Sequence, residues 1–105
     1  MSHPVIIGAL AERDIRKARA WFDAREPGLG DQFFARVNET VRRIASNPDQ
    51  YRLVFSDARR APVRPFGYSV WFRIAPDSSI VIACLSDRRE PSVAQRRARR
   101  RVEPS

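Results

Sequence analysis

Apolar residues recur at two different spacings along this chain, and the change of period divides it. Pro4-Val5-Ile6-Ile7-Gly8 is short, apolar and β-branched, the composition of a strand. From Ala11 the spacing becomes helical. Ala11, Ile15, Ala18 and Phe22 fall on one stripe, with Glu12, Arg13, Arg16, Lys17 and Arg19 off it. This first helix is predicted to stop near Arg25-Glu26, where Pro27-Gly28 breaks it. A second helix is predicted from about Leu29-Gly30-Asp31, with Phe33 or Phe34, Val37, Val41 and Ile44 on its apolar side. Asn47-Pro48 ends it, because proline pushes the residue before it out of helical angles. Glu12 with Arg16, and Glu39 with Arg43, are spaced for i,i+4 ion pairs on the polar sides. The tight Pro27-Gly28-Leu29-Gly30 connection predicts an antiparallel helical hairpin.

Beyond Tyr51 the pattern is that of strands. Arg60 to Pro65 reads as a short strand whose prolines, Pro62 and Pro65, suit a sheet edge. Tyr68, Val70, Phe72 and Ile74 alternate with Ser69, Trp71 and Arg73, as in a strand with two different faces. Pro76-Asp77-Ser78 supplies a turn, and Ile80 to Leu85 is apolar throughout, as in a strand buried on both sides. The order β-α-α-β-β-β describes an α+β domain in which the helical hairpin packs on a mainly antiparallel sheet. Residues 1–91 form this domain; residues 92–105 are basic and read as a short helix or a disordered tail.

Length and composition narrow the class. The 105 residues fit one domain, large enough to bury a core without staples. Cys84 is the only cysteine, so an internal disulfide is excluded, as suits a reducing cytoplasm. No apolar run approaches the roughly 18 residues of a membrane span, and a cytoplasmic location without membrane partners is expected. The net charge is +8, and the tail carries Arg96, Arg97, Arg99, Arg100 and Arg101 against Glu103. Lys17 is the only lysine. Heavy arginine use fits nucleic-acid contact through that tail, and equally fits a GC-rich coding sequence.

Conventional catalytic sets are missing from the sequence. His3 is the only histidine and sits at a terminus expected to fray. One cysteine and one terminal histidine cannot build a closed zinc site, and no metal or cofactor is expected. Gly28 and Gly30 flank a helix–helix turn and serve backbone geometry, while Trp21, Phe22, Phe33 and Phe34 are expected in the core. The arginines remain. Val63-Arg64-Pro65-Phe66-Gly67-Tyr68 and Asp87-Arg88-Arg89-Glu90-Pro91 bracket the predicted hairpin. If Arg60, Arg64, Arg73, Arg88 and Arg89 share one sheet face, their planar guanidiniums would hold phosphate or the carboxylates of a protein partner.

In order and spacing, these elements resemble the RelE/ParE toxin superfamily. The resemblance runs from Ala11-Glu12-Arg13-Asp14-Ile15, Ala18 and Trp21-Phe22 through Pro27-Gly28-Leu29-Gly30, Phe33, Val37, Ile44, Asn47-Pro48 and Tyr51. It continues over Arg64 to Phe72, Ile80 to Ala83 and Arg88-Arg89-Glu90-Pro91, about residues 4–97 in all. It implies the toxin of a type II toxin–antitoxin system, neutralised by an adjacently encoded antitoxin. RelE-like members cut mRNA on the ribosome, which would make Arg64 with Arg88 or Arg89 a phosphate clamp. ParE-like members inhibit DNA gyrase and need no nuclease centre. Ser86 stands where many relatives have histidine, and Ala94 or Gln95 where they have Trp or Tyr. The Pro-Gly-Leu-Gly turn and the Asn-Pro-x-x-Tyr element are closer to the ParE-like and plasmid-stabilisation branch. A ParE-like gyrase inhibitor is therefore expected, with a ribosome-dependent endonuclease or a non-toxic nucleic-acid-binding relative as alternatives.

Overall fold

In a computed structural model, which describes residues 3–88 and 91–102 (backbone alone at 91–95 and 102), both stripes become helices. Helix α1 spans Ala9–Arg25 and buries Ala11, Ile15, Ala18 and Phe22; α2 spans Leu29–Ser46 and buries Phe33, Val37, Thr40 and Ile44. The connection between them depends on two glycines. Gly28 adopts φ 90°, a left-handed angle that side chains oppose. Gly30 is where the helices touch: a Cβ there would strike the Arg19 carbonyl and the Asp23 carboxylate. That carboxylate instead accepts the Gly30 N–H at 2.7 Å, satisfying a donor in the first turn of α2. Of the two predicted i,i+4 pairs, Glu39 with Arg43 forms at 2.7 Å, and Glu12 with Arg16 is not among the ion pairs of the described residues.

Five strands make one sheet: β1 Val5–Ile7, β2 Leu53–Phe55, β3 Ala58–Val63, β4 Tyr68–Ile74 and β5 Ser79–Ser86, in spatial order β1-β5-β4-β3-β2. Only the β1–β5 pair is parallel; the others are antiparallel. Thus the α+β architecture with a helical hairpin on a mainly antiparallel sheet holds. Two details differ from the sequence expectation. A short strand, β2, precedes the third, and β3 ends at Val63, so Arg64 and Pro65 lie in the following turn. In register β2 reaches only Ala58 and Arg59, which leaves Pro62 on a bare edge where its missing N–H costs nothing.

The hairpin covers one face of the sheet, α1 over β5 and α2 over β3. Phe33, Val37, Ile44, Val63, Val70, Phe72 and Val81 fill the space between, all nearly inaccessible to water. Burying a side chain of this size stabilises the fold by about 1.5–3 kcal/mol before chain entropy is counted. The opposite face is also covered. The basic tail forms a third helix, α3 (Pro91–Val102), and its Ala98 is buried with Phe55, Ala58, Trp71, Ala83 and Leu85.

A register shift makes that second cluster possible. Between Trp71 and Phe72 the β4–β5 pairing jumps from Ala83 to Val81, so β5 carries one extra residue. Ile82 and Ala83 then both belong to the second cluster, while Val81 and Cys84 both face the helices. The bulge lies where β5 loses its other neighbour, since β1 pairs only with Ser79 to Val81. Two side chains serve the uncovered edge. The Cys84 N–H donates to Asp14 Oδ2 on α1 at 3.0 Å, and Arg101 Nη1 on α3 donates to the Ile82 carbonyl at 3.0 Å. Arg101 also pairs directly with Asp14. One ion pair therefore occupies the place of a missing strand and ties α3 across the sheet edge to α1.

Candidate functional site

The two arginine motifs meet at one end of the sheet. The Asp87 N–H donates to the Gly67 carbonyl at 2.7 Å, and the Ser69 hydroxyl donates to the Asp87 carboxylate at 2.9 Å. Arg60 approaches the same carboxylate at 3.6 Å. The arginines themselves do not converge. Arg64 lies beyond β3 and lines a concavity of about 490 Å³ against α2. Arg88 lines a different one, of about 580 Å³, beside α1. Arg73 is on the α3 side of the sheet, where its Nε and Nη2 both donate to Asp57 at 2.9–3.0 Å. That bond holds the Asp57 carboxyl below its usual range and pushes the Arg73 guanidinium up. Arg89 lies outside the described residues. A single arginine-bearing face is therefore not what the fold builds from Arg60, Arg64, Arg73 and Arg88.

The tail arginines divide as well. Arg101 is committed to Asp14 and Ile82, and Arg99 stacks over the Phe55 ring with its guanidinium carbon 5.1 Å from the centroid. Arg97 lines the groove beside α1, while Arg96 and Arg100 are exposed on α3. His3 is held by its backbone, whose N–H donates to the Ala45 carbonyl at 2.8 Å.

The larger concavity is a groove between α1, the uncovered end of β5 and α3. Its α1 wall is a second stripe, Leu10, Arg13, Asp14, Lys17 and Trp21, rotated from the core stripe. Leu10 and Trp21 are 49 % and 42 % exposed, high for side chains of that size. Sequence reading put Trp21 in the core and Arg13 and Lys17 off the apolar stripe; their recurrence at three, four and seven residues was the available signal. Phe66 and Tyr68 close the end of the groove toward the β3–β4 turn, and Arg88 comes down beside Gly67. Apolar ends with Arg13, Lys17, Arg88 and Arg97 along the walls suit an extended acidic segment with large apolar anchors.

Cys84 is on the floor of this groove, yet it is no nucleophile. It is 2 % exposed, and burial pushes its thiol up to about 12, with the charges of Asp14 and Asp87 adding to the effect. A thiol so raised stays protonated and inert at neutral pH. No helix among the described residues is long and apolar enough to cross a membrane.

A family model described as the ParE toxin of the type II toxin–antitoxin system, parDE, matches residues 5–91. Among solved structures, a chain of the chromosomal ParDE toxin–antitoxin system from P. aeruginosa superposes with a TM-score of 0.73 at 11 % identity. That match covers 81 % of this chain and 96 % of the other, and at such identity it bears on the fold. No curated protein matches the sequence.

Proposed function

Since the chain belongs to the ParE toxin family of type II toxin–antitoxin systems, we propose that it arrests growth in the cytoplasm by binding DNA gyrase. We propose further that a cognate antitoxin silences it by laying an acidic segment along the α1–β5–α3 groove. The observation that carries the gyrase reading is the dispersal of the arginines. Arg60 and Ser69 converge on Asp87, Arg73 is spent on Asp57, and Arg64 and Arg88 line different concavities. Phosphoryl chemistry gains its rate from charges aimed together at one developing anion, and the separation of Arg64 from Arg88 divides the clamp that a RelE-like nuclease would need, which favours a binding protein.

For the antitoxin, the groove supplies both halves of a recognition surface. Leu10 and Trp21 offer apolar area, worth roughly 25 cal/mol per Å² buried. Exposed cations contribute about 0–1 kcal/mol each and act mainly on the association rate. The test is a supercoiling assay with purified gyrase, toxin and the product of the neighbouring short reading frame. Inhibition relieved by that product is expected. Supercoiling that continues unchanged in excess toxin refutes the target, and relief unaffected by Trp21→Ala refutes the groove.

A further inference from the structure

The second concavity, between α2, the 3-10 turn Pro48–Gln50 and β3, lies outside the groove assigned above to the antitoxin. It is lined by Arg36, Glu39, Thr40, Arg43, Gln50, Tyr51, Pro62 and Arg64. Three arginines and a single carboxylate line it. Glu39 accepts from Arg36 Nη1 at 3.1 Å through one oxygen and from Arg43 Nη2 at 2.7 Å through the other. Each guanidinium has five N–H groups in a fixed fork, so most donors of both remain unused. Among the described residues Arg64 forms no ion pair or side-chain hydrogen bond, and the Tyr51 hydroxyl, within electrostatic reach of Arg43, forms no hydrogen bond.

We propose that this concavity binds a phosphate group, taken up by the guanidiniums of Arg64, Arg36 and Arg43 and by the Tyr51 hydroxyl. Glu39 is a positioning residue in this arrangement: it holds two guanidiniums side by side and leaves a net positive site. The walls are fixed before any ligand arrives. The Thr40 hydroxyl donates to the Arg36 carbonyl at 3.0 Å and reaches the Pro62 carbonyl at 3.4 Å, tying α2 to β3. Gln50 Nε2 donates to the Asn47 and Arg43 carbonyls at 2.9 and 3.3 Å, tying the turn to the end of α2. Tyr51 packs edge-on against Phe72 at 5.8 Å, and its burial raises the phenol, which keeps the hydroxyl a donor at neutral pH. Walls tied in this way lower the ordering cost of binding.

Phosphate suits the donors better than carboxylate does. A phosphate presents more charged acceptor oxygens than the two of a carboxylate, in a tetrahedral array that engages donors from several directions at once. Apart from Pro62 and the Tyr51 ring the lining is polar, so the site reads the anion and little else. The phosphate could belong to a small molecule or to a nucleic-acid backbone.

The experiment titrates the full chain with inorganic phosphate, with a short labelled DNA duplex and with an oligoglutamate peptide. Binding of duplex alone identifies a backbone contact, and binding of inorganic phosphate as well identifies a free anion site; both support the proposal. Arg64→Gln should weaken binding about tenfold, the loss of one charge-assisted hydrogen bond. For duplex it should also lower the slope of log K against log salt by about 0.9. Tyr51→Phe should weaken binding a few-fold. Arg100→Gln, on α3, should change it by less than about twofold. Binding of neither phosphate ligand overturns the proposal. So does equal weakening by Arg64→Gln and Arg100→Gln, which means diffuse charge, or tighter binding of oligoglutamate than of phosphate. A melting curve for each variant separates lost binding from lost folding.

Discussion

Asp14→Ala is the sharpest test of how the tail is held. The Asp14 side chain is 14 % exposed and that of Arg101 is 20 % exposed. Removing the carboxylate strands two donors at once, the Cys84 N–H and the Arg101 guanidinium. Breaking one side of a fully buried pair costs about 3–5 kcal/mol, and an orphaned N–H about 1–3 kcal/mol. Because this pair keeps some access to water, its own loss falls below that range, to about 2 kcal/mol, and the orphaned N–H adds about 1 kcal/mol, about 3 kcal/mol in total. For a chain of 105 residues the unfolding entropy near the midpoint is about 220 cal/mol/K, so the melting temperature should fall by about 14 °C.

Arg101→Ala should cost about half as much, since Asp14 still serves Cys84 and water can reach its free oxygen. Once Arg101 is gone, Asp14→Ala should cost only about 1.5 kcal/mol more, a coupling of about 1.5 kcal/mol between the two sites. Urea unfolding of the two single variants and the double variant measures that coupling. Hydrogen exchange adds an independent readout: in Arg101→Ala the α3 amides should lose protection while those of β4 keep theirs. Additivity within about 0.3 kcal/mol would mean that the pair is an ordinary surface contact. The account of α3 as a docked helix would then fail.

Gly30→Ala should destabilise by about 1–3 kcal/mol in chemical denaturation, because its Cβ lands on the Arg19 backbone, which cannot swing away. Cys84 should resist iodoacetamide at neutral pH and react on unfolding. Because its folded thiol is raised to about 12, the folded state keeps a proton that the unfolded state loses, so stability should fall above about pH 9, by up to about 1.4 kcal/mol per unit. Cys84→Ala should flatten that decline in alkaline melts. Asp57, lowered by Arg73, contributes above the unfolded carboxylate range and loses its contribution as pH falls through its folded value. The pair is about half exposed, so Asp57→Asn should cost less than about 1 kcal/mol in urea unfolding at neutral pH. Arg64→Ala should leave growth arrest intact on induction; abolished toxicity together with codon-positioned mRNA cleavage by the parent would favour the endonuclease instead.

The helical hairpin was legible because Ala11 to Phe22 and Phe33 to Ile44 keep one period throughout, and Pro27-Gly28 and Asn47-Pro48 interrupt it without ambiguity. Strand β4 was legible for the same reason. The bulge was not: Ile80 to Leu85 is apolar on both faces, so an extra residue leaves no break in the pattern. Nor was the docking of α3, whose described buried contact with the sheet is a single alanine, Ala98, helped by a stacked arginine and a paired one. The stripe in its sequence, Ala94, Ala98 and Val102 at i, i+4 and i+8, is short and made mostly of small side chains, so it reads weakly. The arginine motifs were visible, but their directions were not. Arg64 lies beyond the end of β3, and its placement follows from where that strand stops, the least readable property of a strand.

Charge in this protein has two separate jobs, and salt distinguishes them. Among the described residues, six acidic side chains, Asp14, Asp31, Glu39, Asp49, Asp57 and Asp87, are engaged by arginines of the same chain. The body's acid is thus largely consumed internally, while Arg13, Lys17, Arg88 and Arg97 line the groove beside α1. A partner there must bring its own carboxylates. Pairs formed across an exposed groove are screened within a Debye length of about 8 Å at physiological salt, whereas the sheltered Asp14–Arg101 pair is screened much less. Raising salt from about 50 mM to about 500 mM should therefore slow antitoxin association by about tenfold or more while the melting temperature of the free toxin moves by only a few degrees. Stopped-flow association and thermal melts across the same salt series make the comparison. If stability collapses in parallel with the association rate, the surface pairs hold the fold, and the division between structural and recognition charge is wrong. If neither responds, recognition rests on Leu10 and Trp21, and the basic walls of the groove are solvated bystanders.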